Sequence, residues 1–156
     1  MALRLTHNNL IDVARGHASA QPALVDTTTA ETLSYGQLLS KVDHAAEQIG
    51  AGGRRLAFLF CSNTPGAIIA YLGCLAGNVP VCLLDGRSSA GERITSAYHP
   101  PLLMAAGEAP PAAGYRLGAA LPGGFTLWER PDEGTPLHPD LTLLLTTSGS
   151  TGDPKL

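Results

Sequence analysis

Apolar side chains recur every three or four residues between Leu38 and Ile49, which predicts an amphipathic helix with one buried face. Ser34 and Gln37 precede this stripe at the spacing of a capping box, in which each side chain bonds the backbone N–H of the other residue. A glycine-rich stretch, residues 50–53, follows the stripe. The pattern therefore predicts a helix that begins after Ser34 and ends in this stretch.

Short apolar runs without polar alternation come next along the chain. They are "RLAFLF" at 55–60, "VPVCLLD" at 79–85 and "PLLMA" at 101–105. A strand that is covered on both of its faces is apolar throughout, so these runs predict buried strands of a parallel sheet. The intervals between them are long enough for helical crossovers, which would give strand and helix in alternation.

Two further helices are predicted in those intervals. Thr64 and Pro65 suit the cap and the first position of one helix, because proline lacks the N–H that a first turn leaves unpaired. Ser89 and Glu92 have the capping-box spacing at the start of the other helix. The side chains expected to face inward are Ile68, Ile69, Leu72 and Leu75 in the first helix and Ile94, Ala97 and Tyr98 in the second.

The amino-terminal segment predicts one more helix and a pair of strands. Helical spacing in residues 9–18 places four side chains on the expected inner face: Leu10, Val13, Ala14 and His17. "PALVD" at 22–26 predicts a short strand that pairs with residues 31–34. Together with the segments downstream, this order predicts an α/β fold of three layers, with a mostly parallel sheet and flanking helices.

The character of the chain changes between residues 107 and 140, where proline and glycine are dense. Only "FTLWER", residues 125–130, suggests a strand there, so we expect residues 107–140 to form a looped excursion on the surface of a single domain. "DLTLLLTT", residues 140–147, then predicts another apolar strand. That strand leads directly into the stretch "TTSGSTGDPK", residues 146–155.

Composition narrows the class of protein. Of 156 residues, 44% are hydrophobic and 15% are charged, which is typical of a globular domain. A net charge of −3 and the lack of a basic patch in the sequence argue against nucleic acid as a partner. No apolar run in the sequence approaches the roughly 20 residues of a membrane span.

The cysteines and histidines do not suggest a metal site. Three cysteines stand in apolar segments without a C-x-x-C spacing, and five histidines are scattered along the chain. Buried thiols are typical of a reducing compartment, so the sequence predicts a cytoplasmic protein with no disulfide and no metal centre. The cysteines are Cys61, Cys74 and Cys82.

The stretch at residues 146–155 has the chemistry of an anion-binding loop. It carries five hydroxyl side chains, two glycines that let the backbone approach a ligand closely, and Lys155. Consecutive backbone N–H groups in such turns can surround an anion, and the carboxyl ends of parallel strands are where ligands bind in open α/β sheets. It is neither the Walker loop, which needs G-x-x-x-x-G-K-[ST], nor the G-x-G-x-x-G dinucleotide fingerprint. A flexible Ser/Gly linker is the alternative interpretation.

The same stretch resembles the phosphate-loop signature of the adenylate-forming superfamily, [ST]-S-G-[ST]-T-G-x-P-K. Two weaker similarities lie upstream in the family's order: "LSYGQL" at 33–38 and "LGCLAGNVPVCLLD" at 72–85. Gln37 stands where the family usually has Glu, and Leu156 stands where many members have Gly. The second difference favours the acyl-CoA synthetase type over the adenylation domains of peptide synthetases.

The resemblance implies a fold, a reaction and a set of ligand-binding residues. Residues 1–156 would form the amino-terminal subdomain of an AMP-binding domain, with a phosphate-binding loop at 146–155. The enzyme would use ATP with Mg²⁺ to convert a carboxylic acid into an acyl adenylate, and would then pass the acyl group to CoA or to an acyl carrier protein. The residues implied to bind the phosphates of ATP are Thr147, Ser148, Gly149, Ser150, Thr151, Gly152 and Lys155.

The family's adenine, ribose and metal motifs and its catalytic lysine lie downstream of this loop, so the resemblance assigns no catalytic residue within these 156 residues. We therefore expect the chain by itself to be inactive, and to self-associate through its last apolar strand unless that strand is covered. Two alternatives stay open. One is a peptide-synthetase adenylation domain that activates an amino acid for a carrier protein. The other is a non-catalytic half-domain that binds or regulates a partner.

Overall fold

A computed structural model of the protein describes residues 9–87, 89–131, 134 and 136–146. Within these residues the helices are α1 (Asn9–Arg15), α2 (Tyr35–Gly50), α3 (Pro65–Ala76) and α4 (Ser89–Tyr98). The strands are β1 (Pro22–Val25), β2 (Thr32–Ser34), β3 (Ala57–Cys61), β4 (Val81–Asp85), β5 (Leu102–Ala106), β6 (Arg116–Leu121), β7 (Phe125–Glu129) and β8 (Leu143–Leu145). No helix among the described residues is long and apolar enough to span a membrane.

The described strands form one large sheet and one small one. The large sheet has the order β6-β7-β5-β3-β4-β8, and its four strands β5, β3, β4 and β8 are parallel. β7 joins antiparallel to β5, and β6 joins antiparallel to β7 at the edge of the sheet. β1 and β2 form a separate antiparallel pair. This confirms the predicted α/β fold with a mostly parallel sheet.

Helices cover both faces of the large sheet, which gives the three predicted layers. On one face α2 and α3 pack over a cluster that includes Leu59, Val81 and Met104. On the other face Ile94 of α4 packs over a cluster that includes Phe58. The chain moves from β3 to β4 through α3 and then returns past β3 to β5 through α4. Two crossovers of the same hand that run in opposite directions must lie on opposite faces of the sheet.

Two of the three predicted capping signals act at the predicted positions. The Ser34 hydroxyl accepts a hydrogen bond from the Gln37 N–H, and the Gln37 side chain accepts one from the Ser34 N–H, which completes the capping box. Thr64 caps α3 through the Ala67 N–H, and Pro65 occupies the first helical position. These residues begin helices through contacts within one turn, so the sequence alone is sufficient to predict them.

The inner faces of three helices differ from prediction. α1 buries Ile11 and leaves Leu10 and Val13 exposed, because only one side chain of this short helix reaches the core. In α4, Thr95 is buried beside Ile94, whereas Ala97 and Tyr98 point to solvent. In α3 the predicted stripe is right except for one residue, since Ile68 is 40% exposed. Ser89 lies within α4 and is therefore not its cap, and residue 88 is outside the described residues.

Residues 107–140 contain more regular structure than the predicted looped excursion. β6 and β7 form a hairpin that extends the main sheet, and Trp128 and Leu127 of β7 are buried on its two faces. The predicted strand over "FTLWER" is confirmed as β7. β6 was not predicted because its sequence, "RLGAAL", is mostly exposed at the sheet edge and has no apolar alternation. Residues 132, 133 and 135 lie outside the described part of the chain.

Candidate functional site

A crevice lies at the carboxyl ends of the parallel strands, between β3 and β4. α3 leaves β3 toward one face of the sheet and α4 leaves β4 toward the other. Connections that depart to opposite faces leave a gap above the strand ends, and this is where open α/β sheets bind their ligands. A cavity of about 310 Å³ occupies this position in the described structure.

Three strand ends and one helix line this cavity, which we call the strand-end cavity. Apolar side chains, a hydroxyl, an arginine and a carboxylate all contribute to its lining. The lining includes Cys61, Ser62, Arg87, Glu92, Ala105 and Ala106. A mixture of apolar surface and a few polar groups is typical of small-molecule sites.

The backbone around the strand-end cavity is held by a tight turn after β4. The Gly86 N–H donates to the Cys61 carbonyl at 2.9 Å, and a Cβ on residue 86 would lie 2.7 Å from that oxygen. Asp85 Oδ1 accepts a hydrogen bond from the Arg87 N–H at 2.9 Å. Glycine therefore lets the turn approach β3, and Asp85 fixes the direction in which the chain leaves β4. The role of Asp85 in this geometry is structural.

The thiol of Cys61 lies in the wall of the strand-end cavity and is half-buried. Burial raises its pKa, the backbone hydrogen bond at Leu84 acts in the opposite direction, and the charge of Asp85 raises it further. Burial also raises the pKa of Cys82 to about 12 and that of Cys74 above the ordinary range. All three thiols are therefore protonated at neutral pH, and none of them has the lowered pKa of a nucleophilic cysteine.

Alkylation with iodoacetamide is expected to modify Cys61 before Cys74 and Cys82, because both of the latter are buried in the core. Since the raised pKa leaves little thiolate at pH 7, the rate at Cys61 should be below that of free cysteine and should rise as the pH approaches the raised pKa. Peptide mapping by mass spectrometry after brief labelling measures the order. Preferential labelling of Cys82 would contradict the described burial.

β8 runs to the same edge of the sheet as the strand-end cavity. It pairs in parallel with β4, from Val81 opposite Leu143 to Leu83 opposite Leu145. A guanidinium fixes the segment just before it: Arg54 Nη2 donates to the Pro139 carbonyl at 3.0 Å and to the Leu141 carbonyl. The strand predicted over residues 140–147 is thus present as the short strand β8. It lies beside β4, which forms one side of the crevice.

The described structure ends at Thr146, one residue after β8. The predicted phosphate-binding residues, Thr147, Ser148, Gly149, Ser150, Thr151, Gly152 and Lys155, all lie outside the described residues. The structure therefore shows the position of β8, the strand that precedes these residues in the chain. Their assignment to phosphate binding stays a prediction. Among the described residues, no group of His, Cys, Asp or Glu is arranged to hold a metal ion.

Comparison with solved structures identifies the fold. MatB from Rhodopseudomonas palustris aligns over 64% of this chain with a TM-score of 0.52 and 13% sequence identity. A fatty acyl CoA synthetase from Mycobacterium tuberculosis aligns over 58% with a TM-score of 0.50 and 16% identity. O-succinylbenzoate Coenzyme A synthetase (MenE) from Bacillus subtilis is 22% identical over 56% of the chain, with a TM-score of 0.48. No protein-family model matches the chain, and neither does any curated protein.

These likenesses cover only part of the solved enzymes. The alignment takes in 21% of MatB, 19% of the fatty acyl CoA synthetase and 23% of MenE. The chain thus spans about a fifth of the length of the solved proteins that it matches. Its fold is that of one region of these solved proteins. The stretch at residues 146–155 resembles the phosphate-loop signature of the adenylate-forming superfamily.

Proposed function

We propose that residues 1–156 belong to an ATP-dependent enzyme that activates a carboxylic acid as an acyl adenylate and transfers the acyl group to a thiol. CoA or an acyl carrier protein would be the acceptor. In this proposal the region supplies the phosphate-binding loop, residues 146–155, and one wall of the active site. The groups that act directly on the substrate would come from other parts of the protein.

One observation carries the proposal: the strand that leads into the signature motif lies beside the crevice at the carboxyl edge of the sheet. β8 and β4 are parallel, so the carboxyl end of β8 lies at the edge of the sheet where the strand-end cavity opens. Backbone N–H groups and hydroxyls at that position would offer many donors to a polyphosphate. The fold shared with AMP-binding CoA synthetases supports the same function independently of the motif.

The chemical role proposed for the loop is electrostatic. The departing pyrophosphate gains charge as the carboxylate attacks the α-phosphate, and donors fixed in advance around that charge lower the barrier. Lys155 would add a full positive charge, and the hydroxyls of Thr147, Ser148, Ser150 and Thr151 would donate to phosphate oxygens. Mg²⁺ bound with the ATP would neutralise part of the same charge. Gly149 and Gly152 would let the backbone come close to the phosphates.

Lys155→Ala is expected to weaken adenylation by an amount comparable to one charge-assisted hydrogen bond, roughly 1.5–3 kcal/mol. In the whole protein that carries this region, pyrophosphate exchange with ATP and an acid panel should therefore slow by about ten- to a hundredfold. Lys41, the other lysine of the chain, lies on α2 away from the strand ends and provides the matched control. Lys41→Ala should leave the exchange rate unchanged.

The same assay distinguishes the alternatives. Exchange that depends on fatty or aryl acids supports the acyl-CoA synthetase type, whereas exchange that depends on amino acids supports an adenylation domain for a carrier protein. Equal exchange rates for Lys155→Ala and Lys41→Ala would remove Lys155 from the phosphate site. If no acid of the panel supports pyrophosphate exchange by the whole protein, a binding or regulatory role replaces the proposed enzyme.

A further inference from the structure

The position of β8 along β4 is weakly specified by the apolar pattern of β8 itself. The strand is three residues long, and all three are leucines. Leu144 packs against the cluster beneath α4, whereas Leu143 is 37% exposed and Leu145 is 60% exposed. If β8 slipped by one residue in either direction, another leucine would take the place of Leu144. Side-chain packing therefore distinguishes poorly between the observed register and its two neighbours.

The backbone pairing of β8 is also limited. Among the described strands its neighbour is β4, and the pairs run from Val81 opposite Leu143 to Leu83 opposite Leu145. One more bond continues this pairing before the strand, from the Val81 N–H to the Thr142 carbonyl at 3.0 Å. Backbone groups repeat along both strands, so a ladder of this length can form again after a slip. A contact from outside the two strands is therefore needed to select one register.

Arg54 provides such a contact at the edge of the sheet where the parallel strands begin. Its Nη2 donates to the Pro139 carbonyl and to the Leu141 carbonyl, which are 85 and 87 positions away in the sequence. Arg54 comes just before β3, which lies on the other side of β4 from β8. A slip of one residue would move both carbonyls by about 3.3 Å, and neither hydrogen bond would survive that displacement.

The two adjacent arginines before β3 hold different strands. Arg55 pairs with Glu129 of β7 at 3.0 Å. Arg54 forms no ion pair with a described residue, and its Nε has no hydrogen-bond partner there, so its bonds to the segment before β8 are made by Nη2 alone. The contact with the segment before β8 thus depends on the position of a single guanidinium nitrogen.

We infer that Arg54 is a positioning residue, which selects the register of β8 and so sets the point at which the proposed phosphate loop begins. The consequence for catalysis rests on the proposed function, whereas the register is a property of the described fold. A slip of about 3.3 Å exceeds the misplacement of about 1 Å that can cost a hundredfold in rate. Arg54 acts before the amino end of β8, and the proposed loop follows the carboxyl end.

The thiol of Cys82 can report the register, because it lies opposite Leu144 on the same face of the sheet. In the whole protein, Leu144→Cys should form a disulfide with Cys82 on oxidation with diamide, since paired residues of neighbouring strands are within disulfide range. Leu143→Cys and Leu145→Cys point to the opposite face and should not pair with Cys82.

Arg54→Met should move this crosslink. The initial rate of pairing between Cys82 and Leu144→Cys should fall by about tenfold, since two hydrogen bonds from a charged group are lost. Leu143→Cys or Leu145→Cys should then pair with Cys82 instead. Peptide mapping by mass spectrometry identifies the partner of Cys82 in each variant.

Pyrophosphate exchange by the whole protein measures the consequence for the proposed reaction. Arg54→Met should lower kcat/KM for ATP by about a hundredfold, with part of the loss in KM, because a displaced loop binds phosphate less well. A merely structural role would reduce the amount of active protein and leave KM unchanged. Arg54→Lys keeps a donor that can reach one carbonyl, so it should recover part of the activity and of the register. Arg93 is an exposed arginine on α4, and Arg93→Met should change neither measurement.

The two measurements separate the register from the reaction. A crosslink that moves together with a raised KM supports the inference. A crosslink that moves in a protein that never exchanges pyrophosphate supports the register role of Arg54 and overturns the proposed enzyme. A crosslink that moves while the KM of an active enzyme is unchanged overturns the positioning role. The inference is also overturned if Leu144→Cys still pairs with Cys82 after Arg54→Met, or fails to pair with it before.

Discussion

Gly123→Ala is expected to lower the free energy of unfolding by about 3 kcal/mol or more. Gly123 lies in the turn between β6 and β7, against the first turn of α3, and a Cβ there would overlap the Cα of Gly66. The colliding atoms belong to the backbone of a helix, so they cannot move aside as a flexible side chain would. Gly123 also has a φ of +83°, where alanine is strained.

The neighbouring glycine separates these two causes. Gly124 has a φ of +78°, and a Cβ on it would meet nothing within 4 Å. Gly124→Ala should therefore cost only the backbone strain, about 1 kcal/mol. Urea unfolding followed by circular dichroism measures both variants. If the two substitutions cost the same, the close approach of Gly123 to Gly66 does not constrain residue 123.

The sequence was sufficient to predict elements whose causes are local. The capping box of Ser34 and Gln37 and the cap at Thr64 act within one helical turn, and both are found in the structure. The strands β3, β4 and β5 were predicted because burial on both faces makes each of them apolar throughout. Their alternation with α3 and α4 then restricts the sheet to a parallel arrangement.

The features that were missed depend on contacts between distant parts of the chain. α1 could present either Ile11 or the Leu10–Val13 side to the core, and its position against α2 and α3 decides in favour of Ile11. β6 has no apolar alternation that would mark it as a strand, and it forms because β7 offers it a partner. Periodicity within one segment cannot reveal either outcome.

The phosphate-loop motif and the long-range ion pair show the same difference. The motif at residues 146–155 is contiguous, so a resemblance could suggest a phosphate-binding loop without a structure. Arg55 and Glu129 are 74 positions apart, and only the order of the strands brings them together. Local runs of charge do not reveal a pair that the fold creates.

Arg54→Met is expected to lower the free energy of local opening of β8 by about 3 kcal/mol, because it removes two hydrogen bonds from a charged group to backbone carbonyls. Both acceptors, the carbonyls of Pro139 and Leu141, lie in the segment that leads into β8. β8 is short and its Leu145 is 60% exposed, so apolar packing does little to hold it. The loss should therefore fall mainly on β8.

Hydrogen exchange of the β8 amides, compared with those of β3, measures this local effect. In Arg54→Met the protection of Leu143–Leu145 should fall strongly while that of Ala57–Cys61 changes little. Arg93→Met, an exposed substitution on α4, should alter neither strand. Unchanged protection of β8 in Arg54→Met would mean that pairing with β4 holds the strand without help. A selective loss would make this guanidinium, near the amino edge of the sheet, the group that positions the strand leading to the proposed phosphate loop at the other edge.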